Sequence, residues 1–102
     1  MDTTLKTTKD IATQSINLID GTFTASEASH IINAVLDVKI NFHKLNRLSI
    51  TEGNADDACE YDSSRIQELI NEKEIAKQFF KNIRTEGRKL KINSTISISA
   101  ED

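Results

Sequence analysis

The sequence predicts an α+β fold of β-α-α-β order: two long antiparallel helices forming a helical hairpin, flanked by short N- and C-terminal strands. Three observations carry that prediction. The 102 residues contain no proline and only three glycines, Gly21, Gly53 and Gly87, which mark off two stretches of matched length. Each stretch carries apolar residues at helical spacing. After Gly87 the apolar period drops to two, as a strand with one buried and one wet face requires.

Size and composition bound the answer. With 37% hydrophobic and 28% charged residues, residues 14–100 suit a single helical-hairpin domain with one modest core. Residues 1–13, rich in threonine and lysine, have little apolar surface to bury and read as a flexible leader. Five per cent aromatic content without tryptophan makes the core one of isoleucine, leucine and valine. A formal charge of −3 speaks against a generic polyanion binder. The single Cys59 excludes an intrachain disulfide and a cysteine-based zinc site, and permits a reducing compartment. Met1 to Asp10 hold no signal-peptide core and no 18 apolar residues run together, so a cytoplasmic protein without a membrane span is expected.

The first strand is expected around Ser15 to Ile19, where Ile16 and Leu18 alternate with polar residues, followed by a turn at Asp20-Gly21. Thr24-Ala25-Ser26-Glu27 has the capping-box pattern, which starts the first helix at Ala25. Ala28, Ile31, Val35, Val38, Phe42 and Leu45 then recur at steps of three and four as far as Leu48, the natural seam for a partner helix. A second apolar line, Ile32, Leu36 and Ile40, lies on a different side. One partner helix cannot cover both, so this second line is the candidate oligomer interface, to be covered by a small sheet or another subunit.

Ser49 to Asp62 reads as a polar connection with five acids, Glu52, Asp56, Asp57, Glu60 and Asp62, and no base. Ser64 to Gln67 again fits a capping box and is expected to start the second helix. Its seam runs Ile66, Leu69, Lys73, Ala76, Phe80 and Ile83, with Gly87 placed to end it. Leu90 to Ala100 supplies the second strand. Two strands alone are marginal in water, so the favoured assembly is a homodimer in which two hairpins make a four-helix bundle and the ribbons a small sheet.

Chemistry is thin. Lys73 sits in the apolar seam, with its stem on the core and its ammonium reaching water or an acid. A role in fixing helix register is the sharper alternative. Lys77, Lys81, Arg84 and Arg88, at steps of four, three and four, line one side of the second helix and form a candidate anion-binding face. A solvated helix face near the negative end of the dipole is the plainer reading. His43, between Lys39 and Arg47 at one-turn spacing, reads as a surface histidine, and His30 cannot meet it. Glu27 and His30 have the spacing of carboxylate-bridged metal bundles, yet Glu27 is better explained as a capping residue. The acidic connection lacks EF-hand spacing, and Cys59 in acidic surroundings is a poor nucleophile. No catalytic, cofactor or metal motif stands out. The reading is a small self-associating interaction or accessory module rather than an enzyme, a homodimer with an unidentified protein partner. The alternative is a nucleic-acid-associated regulator using the basic face of the second helix.

Overall fold

The computed structural model describes residues 12–101, so the expected leader lies largely outside the described residues. Two helices are flanked by N- and C-terminal strands: β1 (Thr13–Phe23), α1 (Ala25–Gly53), α2 (Glu60–Glu86) and β2 (Leu90–Ser99). The strands pair as a small two-stranded antiparallel sheet, its outer end tied by the Ala100 N–H donating to the Ala12 carbonyl at 2.7 Å. The chain divides into two compact units, this ribbon and the hairpin of Phe23–Leu90. β1 runs straight through Asp20-Gly21 instead of turning there. The turn signal is overridden because an extended glycine still contributes its backbone groups to a ladder.

At the start of α1 the Thr24 hydroxyl accepts the Glu27 N–H at 3.1 Å while the Glu27 carboxylate accepts the Thr24 N–H at 2.9 Å. Both halves of the capping box are therefore made. The helix continues past the expected end at Leu48, through Gly53, and Asn54 closes it by donating its N–H to the Ile50 carbonyl. At 29 residues it is about 43 Å long.

α2 begins at Glu60, four residues before Ser64, so the second capping box is not used. Cys59 makes the entry in left-handed backbone, φ 50. Its N–H donates to the Asp57 carboxylate at 2.8 Å, and its carbonyl accepts the Ser63 N–H at 2.9 Å. Glu60 and Asp62 stand in the first turn, where the helix dipole favours acids. At the far end Gly87, φ 68, donates its N–H to the Arg84 carbonyl and Arg88 donates to that of Ile83. This is the paired bonding that closes a helix with a left-handed glycine.

The two helices pack along a seam centred on Ile40, Ile66 and Leu69, with Leu36 against them. On α2 the expected seam is the observed one: Ile66, Leu69, Phe80 and Ile83 are buried, and Lys73 and Ala76 half-buried. On α1 the two apolar lines exchange roles. Ile40 is buried and Ile32 and Leu36 are half-buried toward α2, whereas Val35, Val38, Phe42 and Leu45 are exposed. Thus Ile40 and Leu36, assigned from sequence to cover from beyond the hairpin, are covered within it. The buried side of α1 also carries Ala25, Ala28 and His43, so the side facing α2 is the less apolar of the two.

Candidate functional site

Near the connection, a polar pair occupies the seam. His43 on α1 and Asp62 on α2 are 2% and 3% exposed, and His43 Nδ1 lies 2.9 Å from Asp62 Oδ1. The Asn46 amide donates to both Asp62 oxygens, at 3.2 and 3.0 Å, and Arg47 Nη1 donates to the Ser63 hydroxyl at 3.2 Å. The Asp62 carboxyl is held below its ordinary value, first by the His43 bond and then by the Asn46 amide, with burial acting in the opposite direction. An ionised Asp62 can only accept, so Nδ1 of His43 carries the shared proton. Nε2 is buried with no hydrogen-bond partner among the described residues. Phe42 and Tyr61 stand edge-on to the imidazole, with ring centroids at 5.2 and 5.9 Å.

His43 is therefore not the surface histidine that its basic neighbours suggest, and Asp62 is not part of a solvated acidic connection. The signal for both was present. The α2 seam continued backwards from Ile66 by four reaches Asp62, and the line of Leu36 and Ile40 continued forwards by three reaches His43. Cys59 is buried close by, and its thiol is shifted upward, chiefly by burial and next by the Asp57 charge, which suppresses the reactive thiolate. Glu27 is engaged in the capping box and His30 is exposed. Among the described residues no three His, Cys, Asp or Glu side chains come together as a metal-binding group.

Two grooves run between the helices. One is apolar and brings Ile32 and Leu36 of α1 together with Leu69, Ile75, Ala76 and Phe79 of α2. Its charged rim includes Arg65 and Glu68, paired at 2.8 Å, and Glu72. The other, of about 620 Å³, is polar. It gathers Lys77, Lys81 and Arg84 of the candidate anion-binding face opposite Ser29 and Asn33 of α1. Lys73 lies in it as well, its ammonium donating to the Asp37 carboxylate at 2.6 Å. The seam lysine thus reaches an acid, as its amphipathic stem allows. Arg88 is not among the residues lining this groove and pairs with Glu86 at 3.2 Å.

Compared with known proteins, the chain matches no family model, no curated protein and no solved structure. No described helix is long and apolar enough to cross a membrane.

Proposed function

We propose that this protein is a self-associating interaction module, rather than an enzyme, and that a second copy of the chain covers the apolar side of its hairpin. The observation that carries the reading is an imbalance in the helices. Among the described residues, ten large apolar side chains of α1 and α2 are exposed, while five, Ile40, Ile66, Leu69, Phe80 and Ile83, are buried. Val38, Leu45 and Ile75 are 72%, 66% and 65% exposed. Single exposed apolar residues are ordinary, but contiguous ones mark an interface. Here Ile31, Val35, Val38, Phe42 and Leu45 recur at steps of four, three, four and three, the spacing by which one helix packs along another. Val35 stands one turn from Ile32, so the stripe adjoins the apolar groove of Ile75 and Phe79.

Charge favours a copy of the same chain. A two-fold interface sets a surface against itself, so a single sign of charge would repel. The apolar side carries both signs, Arg65 with Glu68 and Glu72, along with Lys39 lying 4.8 Å over the Phe42 ring. The ribbon agrees: no residue of β1 or β2 is buried, and Ile16, Leu18, Ile96 and Ile98 are exposed, a state that two strands alone sustain poorly.

Sedimentation equilibrium at micromolar concentration tests the reading. The unaltered chain is expected as a dimer, and Val35→Glu with Phe79→Glu as a folded monomer. Lys77→Glu, in the opposite groove, is expected to leave the dimer intact. A folded monomer for the unaltered chain at every concentration overturns the proposal. Ile40→Glu is unsuitable for this purpose, because it places a charge in the core.

A further inference from the structure

We infer that the polar groove between α1 and α2 is a binding site for a compact phosphate-rich anion, an oligophosphate group held by Lys77, Lys81 and Arg84. These three cations line one concavity, and none has an ion-pair partner within 4.0 Å among the described residues, in contrast to Arg65, Lys73 and Arg88, which are all paired. Like charges one turn apart on a helix repel. The dipole of α2 compensates only part of that repulsion, because its influence falls off within the last turn. Arg84 is the basic residue of that turn. Lys77 and Lys81 stand before that turn, beyond the reach of the dipole.

The remaining chemistry of the groove fits the same ligand. Ser29 and Asn33 on the facing wall supply a hydroxyl and an amide, with Asn33 Nδ2 donating to Ser29 Oγ at 3.4 Å. Lys73 is neutralised by Asp37 at 2.6 Å, and Glu74 also lines the groove, so the site has a cationic part rather than a uniformly cationic wall. From Lys77 to Arg84 the helix rises about 10 Å, the span of a few linked phosphates, and about 620 Å³ is within the range of small-molecule sites. The aromatic side chain of the groove, Phe80, is buried and offers no face for stacking a nucleobase, so the phosphates and not the bases are read. The site is distinct from the apolar side proposed for self-association and does not depend on it.

Calorimetric titration of the full chain with inorganic tripolyphosphate at low salt tests the inference. Binding is expected to weaken with added salt and to fall at least about tenfold in Lys77→Gln with Lys81→Gln, since charge-assisted hydrogen bonds are lost. It is expected to persist in Lys77→Arg with Lys81→Arg. Lys44→Gln with Lys91→Gln, which removes the same charge from exposed positions outside the groove, is expected to leave binding within about twofold of the unaltered chain. Circular dichroism of each variant checks that the helices are kept. Absence of binding at low salt overturns the site, as does equal weakening by the two paired glutamine variants. Citrate binding as tightly as tripolyphosphate overturns the phosphate assignment. Mixed-sequence RNA binding without tripolyphosphate binding overturns it in favour of a nucleic-acid surface.

Discussion

The two helices carry the same kind of apolar pattern and use it in opposite ways. On α2 the line of Ile66, Leu69, Phe80 and Ile83 is buried in the hairpin. On α1 the longer and more regular line, from Ile31 to Leu45, faces largely outward, and a line interrupted by His43 faces in. Periodicity establishes that a helix has an apolar side; it does not say which partner that side meets. The inward side of α1 is selected by what α2 presents. Asp62 on the α2 seam needs a donor, and His43 and Asn46 supply two. A seam that left Asp62 buried and unpaired would be heavily destabilised.

The largest effect that tests this comparison is a truncation on each line of α1. Ile40→Ala opens the centre of the packed seam and is expected to cost about 2–5 kcal/mol, read as a drop in the urea midpoint that is the same at every protein concentration. Val38→Ala, on the outward line, is expected to change the stability of the separated subunit by less than about 0.5 kcal/mol. Its effect then grows as protein concentration rises and the proposed dimer forms. Equal, concentration-independent losses from both substitutions would mean that the two lines are not inner and outer.

Next comes the polar pair. Asp62→Ala or His43→Ala alone is expected to lower the urea midpoint well beyond Val38→Ala, because each strands a buried partner. His43→Leu with Asp62→Leu is expected to recover much of that loss, as apolar replacements of buried pairs do. The pH dependence has a definite sign. The folded-state pKa of Asp62 lies below its ordinary value, which is about 3.9 in an unfolded chain. Its contribution is therefore complete above about pH 5 and is lost as pH falls from there through the unfolded and then the lower folded-state value. Urea midpoints compared at pH 7, 4 and 3 should fall more steeply for the unaltered chain than for Asp62→Asn. Parallel curves would show that the carboxylate does not favour this arrangement.

The ends of the two helices give a paired test of about 1 kcal/mol each, with opposite signs. Gly53 is the last residue of α1, and a Cβ there meets nothing within 4 Å, so Gly53→Ala is expected to stabilise by about 0.5–1 kcal/mol. Gly87 ends α2 at φ 68, also in open space. Gly87→Ala is therefore strained by backbone conformation alone and is expected to cost about 1 kcal/mol. Thermal midpoints of the two variants should move in opposite directions.

These contrasts also show how far the sequence is legible. Element order, the Thr24 capping box, the α2 seam and the Gly87 terminus all follow from local rules, in which a residue acts on neighbours within a turn or two. The inner line of α1 does not, because Ile32, Leu36 and Ile40 are as apolar as the outer line, and the deciding pair, His43 and Asp62, lies 19 residues apart. α2 starts at Glu60 and not at Ser64 for a related reason. Ser64 has the better cap chemistry, but stopping there would unwind the turn that carries Asp62 to His43. The basic groove was legible only in part. The spacing of Lys77, Lys81 and Arg84 puts them on one side of a helix, whereas the facing Ser29 and Asn33 come from a segment some 50 residues away, about 14 turns along the chain as helix. Only the packing of α1 brings that segment opposite them.

The smallest expected effect concerns the second polar residue of the seam. Lys73 stands in the α2 line as His43 stands in that of α1, yet the two differ in solvation: the Lys73 and Asp37 side chains are 32% and 52% exposed, whereas the His43 and Asp62 side chains are 2% and 4% exposed. A bond of 2.6 Å between partly hydrated partners contributes at most about 1 kcal/mol, because water and salt ions compete for both charges. Lys73→Met keeps the stem that lies on the core and removes the ammonium. Its urea midpoint should therefore stay within about 1 kcal/mol of the unaltered chain, in either direction, with the salt dependence of stability reduced. If Lys73 instead fixes the alignment of the two helices, the same substitution would yield more than one species by sedimentation, or a broadened unfolding transition. A single species with a slightly shifted midpoint would leave the buried pair of His43 and Asp62 as the polar contact that sets the register of the hairpin.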